Sequence, residues 1–532
     1  MKKFSVICPV YKDCYKTLGR CVYSLQDQNY DNWEMIIVFD GEEENKEGIK
    51  ALKQGFKMET GGKKHIVKPL EDKRIKYDVI PHGGAPSARN MGVKLTDGDY
   101  ITLIDPDVYL YPGTLRDWAD KLEENPDIDF VYGHYDIVGG HQIRAQEFSP
   151  YALRSTNYIS GAFPLKRENW IDQEVGLPAL QDWDMWLSQV QAGKKGLYVD
   201  KSYFVTEQPG NISGYSATHW IELTDRIRNK HKIPKSDLVV CSLGASRHAI
   251  NTAEILGADV LPMPSFKPNK YKAIYLLGFY PSAFKEHMGV FTQNFDVWMQ
   301  KNLFAAVKAK KIIHWIGTDV LQMRKLVSFD TRKGLKAFFS RLRVIQLTEA
   351  KHTHDELKEM EIKTEIVALP PNKLFRPLYS LPDKFTVANY INPTQREMYF
   401  ENLMVEVAKA MPDVEFLFYG DKTKANYKDG NINYVGWVDM EELIKKSSCM
   451  VRITQHDGLP HAPVQFLTAG RRVISNLPLE HFDFAKADKK EIIKKIREVQ
   501  KNPQVSKEAG DYWREICDHE KFKKKIWQLA GG

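Results

Sequence analysis

Tyr100-Ile101-Thr102-Leu103-Ile104-Asp105-Pro106-Asp107 is the stretch on which the reading of this chain turns. Its first five residues are aromatic, β-branched or aliphatic, and the run stops at Asp-Pro, as a buried strand does. Two carboxylates two positions apart, just past such a strand, project toward one pocket. A hard divalent cation held there by few protein oxygens can complete its shell from a substrate diphosphate. Acting as a Lewis acid, it would neutralise charge developing on a leaving phosphate. Alone, Asp-x-Asp is a weak signal, because any turn can carry two aspartates. Its neighbours decide.

Working outward, Phe4 to Val10 forms a similar apolar run, and Glu34 to Phe39 forms another that ends at Asp40-Gly41. Helical patterns lie between them. This alternation predicts an α/β fold with a mainly parallel sheet covered on both faces. Ligands of such sheets bind beyond the carboxyl ends of the strands, where Asp40, Asp105 and Asp107 stand. Around residues 215–236 the pattern turns polar and helical and then meets Pro234. We place the main boundary there, with domains 1–234, 235–378 and 379–532. A second α/β rhythm begins at Asp237 and closes at Pro370-Pro371-Asn372; a third begins at Phe385. Two successive Rossmann-like halves with a cleft between them are expected. The lysine-rich tail from Lys486 to Lys525 reads as helices with a solvated face.

The 532 residues, 43% hydrophobic and 27% charged, are too many for one core and exclude disorder, collagen and a disulfide scaffold. Lys plus Arg number 76 against 69 acids, a +7 excess that permits an anionic partner without demanding one. The six cysteines show no metal spacing, so buried free thiols are expected. No uninterrupted run of about 18 apolar residues is present, and Met1-Lys2-Lys3 leads into a strand rather than a signal-peptide core. The expectation is a cytoplasmic enzyme without a transmembrane segment.

Residues 4–225 resemble a family 2 glycosyltransferase of the GT-A fold. Ser5-Val6-Ile7-Cys8-Pro9-Val10-Tyr11 is similar to that family's first strand and nucleotide-binding turn. Ala88-Arg89-Asn90-Met91-Gly92 is similar to its Ala-Arg-Asn-x-Gly helix, and Asp105-Pro106-Asp107 to its metal motif. The resemblance implies that Pro9, Tyr11, Asp40, Arg89 and Asp105 bind the nucleotide sugar, with Asp40 touching the nucleoside. It also implies that Asp105 and Asp107 hold Mn²⁺ or Mg²⁺, and that a UDP-sugar is the donor. Leu180-Gln181-Asp182-Trp183-Asp184-Met185-Trp186-Leu187 resembles the acceptor-side block, which makes Asp182 the general base of an inverting transfer. Two positions depart from the family pattern. Gln181 replaces Glu, and Gln208 stands where a His often ligates the metal, leaving Gln208 as the third candidate ligand. Bland readings stand beside these: Asp40 as a turn former, Arg89 in a structural ion pair, Asp184 as a surface acid, Trp183 and Trp186 as packing.

Residues 237–500 resemble, more loosely, a GT-B glycosyltransferase of the family 4 type. His456-Asp457-Gly458-Leu459-Pro460, followed by Gln465, is similar to its donor-site block, with Asp457 and Gln465 in the places of two glutamates. The amide of Gln465 can still accept from ribose hydroxyls, and Gly458 permits close approach of backbone to a ligand. His314 in His314-Trp315-Ile316-Gly317-Thr318-Asp319 is a second catalytic candidate, or else a satisfied strand-end histidine. Arg396 is the nearest basic residue for a diphosphate.

The leading expectation is therefore a metal-dependent, bifunctional enzyme with two glycosyltransferase modules. The acceptor hydroxyl could belong to a glycan, a lipid-linked sugar, a protein or a modified base in DNA. One alternative makes the C-terminal half a catalytically silent acceptor platform. Another, a DNA-directed transferase, predicts a basic groove and strongly salt-dependent binding.

Overall fold

The computed structural model describes residues 2–60, 63–207, 218–242, 246–262, 271–279, 308–326, 329–376 and 378–531. The chain divides into two compact units, Met1–Lys235 and Ser236–Gly532.

In the first unit the strand Phe4–Val10 is buried along its whole length. It pairs in parallel with Trp33–Asp40 on one side and with Tyr100–Leu103 on the other. Ile75–Ile80 extends this parallel set beyond Trp33–Asp40. On the far side, Leu165–Lys166 runs antiparallel to Tyr100–Leu103. The sheet continues through Phe130–Ile137 and Gly196–Thr206 to Val108–Leu110. The register sets Phe4 opposite both Trp33 and Tyr100. The carboxyl ends of three neighbouring strands therefore bring Tyr11, Asp40 and Asp105 to one edge.

The helix Ala85–Lys94 lies directly on this sheet. A Cβ on Gly92 would come within 2.4 Å of the Ile7 side chain, so only glycine permits the approach. Trp118, Trp183 and Trp186 are fully buried in the core of the unit. Truncating a buried tryptophan of this kind costs about 3–5 kcal/mol. The packing reading of Trp183 and Trp186 is the observed one. Trp183 also donates its indole N–H to the Leu153 carbonyl at 2.7 Å.

The second unit holds two sheets. The first is wholly parallel, in the order Asp259–Pro262, Leu238–Ser242, Ala273–Leu277, Lys310–Trp315, Ile345–Thr348, Glu365–Ile366. The second is built around Thr386–Tyr390, Glu415–Tyr419, Ile432–Gly436, Cys449–Arg452 and Arg472–Ser475, all parallel, with Tyr427–Asp429 antiparallel at its edge. The tail forms three helices, Lys489–Lys501, Lys507–Ile516 and His519–Ala530. The last of these returns to the first sheet, where Trp527 donates to the Leu256 carbonyl at 2.9 Å. The expected division at 378/379 assigned that helix to the other half; its amphipathic pattern says that it docks, and nothing in it says where.

All six cysteines are free thiols, and Cys14 alone is exposed. Among the described residues, no helix is long and apolar enough to cross a membrane.

Candidate functional site

Asp105 and Asp107 follow the strand Tyr100–Leu103, and a turn bond from Val108 N to Asp105 O at 3.0 Å reverses the chain there. Asp107 accepts from the Thr206 hydroxyl at 3.2 Å. Burial pushes its carboxyl up to about 6, and the neighbouring Asp105 charge adds to the effect. Arg89, carried by the helix Ala85–Lys94, donates to both oxygens of Asp105 at 2.8 and 3.1 Å. Glu207 accepts from Arg20 at 3.1 Å and from the Tyr109 hydroxyl at 2.8 Å, and contributes a further negative charge at Asp107.

Asp182 opens the helix Gln181–Gln191, entered through Leu180 in the left-handed conformation at φ 62°. One carboxylate oxygen accepts from the Trp183 amide at 2.8 Å and the other from Asn157 Nδ2 at 2.8 Å. Burial raises its carboxyl above the usual range; the Arg89 charge pulls it down and the Asp105 charge pushes it up. Asp182 thus shares an electrostatic environment with Arg89 and Asp105. Gln181 turns inward, donating to the Leu177 carbonyl at 2.9 Å. Asp184, read as a possible surface acid, is buried between His231 at 2.7 Å and Lys230 at 2.8 Å.

Asp40 stands at the end of the strand Trp33–Asp40. Its carboxylate accepts from Gly83 N at 2.7 Å, Gly84 N at 3.0 Å and His82 Nδ1 at 2.9 Å. The residue is 2% exposed. Its bonds organise the loop that starts the Arg89 helix. Tyr11 stands beside it with His82 stacked on its ring, 4.7 Å between centroids and 14° between planes. Pro9 lies within the strand, opposite Val38. Gln208, the candidate third metal ligand, falls outside the described residues.

A model of the glycosyl transferase family 2 family matches residues 5–169, the segment that carries Tyr11, Asp40, Arg89, Asp105 and Asp107. Residues 5–169 form a family 2 glycosyltransferase domain. An uncharacterized glycosyltransferase of Rickettsia bellii is 32% identical over 165 residues, covering 30% of this chain and 20% of the relative. An Escherichia coli relative is named UDP-Glc:alpha-D-GlcNAc-diphosphoundecaprenol beta-1,3-glucosyltransferase WfgD. It is 24% identical over 191 residues, covering 35% of this chain and 68% of that protein. A structure of Staphylococcus aureus TarS residues 1–349 is 17% identical with a TM-score of 0.33, covering 64% of this chain and 87% of that one; so loose a superposition does not bear on the site. The match spans between one fifth and two fifths of the length of the first three curated relatives.

Among the described residues, no group of three or more His, Cys, Asp or Glu side chains could hold a metal ion. The glycosyltransferase domain offers two carboxylates at the strand end. Burial first, and the Asp105 charge after it, raise the Asp107 carboxyl; a divalent cation would offset the negative charge that collects there. These residues fit a cation shared with a ligand's diphosphate oxygens and do not fit one held by protein alone.

In the second unit, Asp457 forms an ion pair with Arg452, whose guanidinium lies 4.9 and 4.4 Å from the rings of Tyr390 and Tyr399. Gln465 donates to the Lys373 carbonyl at 3.0 Å. At Gly458 a Cβ would come within 2.2 Å of Glu349 Oε2, and at Gly317 within 2.1 Å of Gly458 N. These two glycines let the loops of the two sheets touch. Their close approach is to protein atoms. His314 is fully buried, bonded to the Tyr275 hydroxyl, with burial pushing its imidazole down to about 3. A neutral histidine so enclosed presents no atom to a substrate, and the strand-end structural role fits it. Arg396 is likewise spent on Glu401 at 2.7 Å and Asp421 at 3.1 Å.

Sequence reasoning missed Asn157, Thr206 and His82 in the first unit and Glu349 and Arg452 in the second. Each is an isolated polar residue that only the fold brings to its partner. Glu349 alone left a trace, as a lone acid just after the strand-like run Val344-Ile345-Gln346-Leu347-Thr348.

Proposed function

We propose that this chain is a metal-dependent glycosyltransferase that moves a sugar from a UDP-sugar to an acceptor hydroxyl, with inversion, in its first unit. The observation that carries the reading is the convergence of Asp105, Asp107, Arg89 and Asp182. A strand-end pair of carboxylates, a guanidinium and a separate basic carboxylate share one region of charge.

Asp105 and Asp107 would hold Mn²⁺ or Mg²⁺ together with the donor diphosphate, and the cation supplies Lewis-acid stabilisation of the departing nucleotide. Arg89 fixes the Asp105 carboxylate and offsets the negative charge that collects there. Asp182 takes the proton from the acceptor hydroxyl. Burial makes it a stronger base than an exposed aspartate, and Asn157 holds one of its oxygens in place. The Escherichia coli relative, named for making a β linkage from UDP-Glc, whose sugar is α-linked, supports inversion. Its lipid-linked acceptor makes a diphospholipid-linked sugar the first acceptor to try.

We assign the second unit as a GT-B module with its own donor site at Asp457, Gly458 and Gln465. The opposing reading, a silent acceptor platform, draws on the Asp457–Arg452 ion pair and the contact of Gly317 with Gly458, which leave those groups engaged within the protein. Nucleotide release by the isolated second unit would reject the platform.

The test of the main reading is a screen of sugar nucleotides with Mn²⁺, with Mg²⁺ and with chelator, read by nucleotide release and product mass. Metal-dependent release is expected, together with a 10²–10⁴-fold loss of transfer in Asp182→Asn at unchanged donor affinity. Full transfer by Asp182→Asn would remove the base assignment.

A further inference from the structure

Tyr11, Asp40 and Asp105 follow three adjacent parallel strands, the position where ligands of α/β sheets bind. Asp105 and its cation would hold the donor's phosphates, so the place for the donor's base lies along the same edge at Tyr11 and Asp40. A pyrimidine there needs two things: an aromatic face to stack on and a partner for its ring N–H. Tyr11 supplies a face and Asp40 supplies an acceptor.

One side chain, His82, meets both. The His82 ring is nearly parallel to Tyr11, 4.7 Å away. Its Nδ1 lies 2.9 Å from Asp40 Oδ2, and because a carboxylate accepts, the ring nitrogen donates. A flat, nitrogen-bearing ring thus satisfies the same stack and the same hydrogen bond that a uracil N3–H would. We infer that the His82 imidazole holds the place of the donor's base in the ligand-free chain and is displaced when nucleotide binds.

The surroundings permit that exchange. The His82 side chain is 49% exposed, against 3% for Asp40, so it can swing into solvent without opening the core. Asp40 keeps its bonds from Gly83 N and Gly84 N when His82 leaves, so the loop and the Arg89 helix behind it stay in place. His82 is therefore an internal competitor that lowers apparent nucleotide affinity by the fraction of time it occupies the slot.

The inference rests on the donor site proposed above, and its test separates the two. UDP is titrated calorimetrically into the full chain with Mg²⁺ present, using wild type, His82→Ala and His82→Ser, with folding checked by circular dichroism. Both variants are expected to bind UDP about tenfold more tightly than wild type, the gain for a slot occupied nine-tenths of the time. Wild-type binding with unchanged or weakened affinity in both variants would overturn the inference and leave the donor site standing. Weakened affinity would make His82 a direct partner of the base. Failure of all three proteins to bind UDP would overturn the donor site and the inference together.

Discussion

Arg89 Nη2 grips both oxygens of Asp105, at 2.8 and 3.1 Å, so the cation of one helix is committed to the first acid of the Asp-Pro-Asp turn. The same guanidinium acts through space on Asp182, whose carboxyl it pulls down against the effect of burial. One arginine thus touches Asp105 directly and Asp182 through space. Replacing it by alanine removes one lowering influence from Asp182, while burial and the Asp105 charge, which raise its carboxyl, remain. The basic form then exists only at higher pH. In Arg89→Ala the acid limb of the kcat profile should move upward, and rate measurements from pH 5 to 9 would show it; an unmoved limb would argue that Asp182 does not titrate in turnover.

Asp107 carries a stability signature that needs no substrate. Its carboxyl is raised from 3.8 to about 6 by burial and by Asp105, so the folded state favours the neutral form. Stability from this group is full below the unfolded value and is lost as pH rises through about 6. Asp107→Asn should therefore stabilise the metal-free protein at pH 7–8, by on the order of 2 kcal/mol. Near pH 3.5 it should change little. Melting in chelator at both pH values is the measurement. Mg²⁺ should raise the melting temperature of wild type more than that of the variant.

Asp184 stands two residues from the proposed base and has a different task. It is buried and tied to His231 and Lys230, which end the helix Trp220–Lys230. Removing one partner of a buried ionic network costs about 3 kcal/mol or more. Asp184→Ala should lower the unfolding midpoint in denaturant, while the protein still folded in buffer keeps its nucleotide affinity. A loss of affinity without a loss of stability would place Asp184 in the site after all.

Gly317 holds φ at +99° with a missing Cβ that would sit 2.1 Å from Gly458 N. Alanine there brings strain and a backbone clash together, a change expected to cost several kcal/mol. Gly317→Ala should lower the melting of the second unit and spare nucleotide binding by the first. Differential scanning calorimetry of the full chain, with and without UDP, resolves the two effects.

The sequence by itself determined the parallel sheets and the positions of the acids. An uninterrupted apolar run bounded by turn residues has few other ways to bury itself, and Asp40, Asp105 and Asp107 fall at strand ends wherever such strands form. The strand Tyr100–Leu103 and its Asp-x-Asp sequel lie where local pattern puts them. Tertiary structure alone decided which partner each polar group took. Asp40 could meet a ligand or its own chain, and the loop at Gly83 and Gly84 brought two amides and an imidazole to it. His314 could be a catalyst or a core residue, and the sheet enclosed it. Asp457 found Arg452, and the last helix found the first sheet. The physical reason is range. Strand and turn formation depend on neighbours a few residues away, whereas a hydrogen bond between residues tens or hundreds of positions apart exists only after the chain has closed around it.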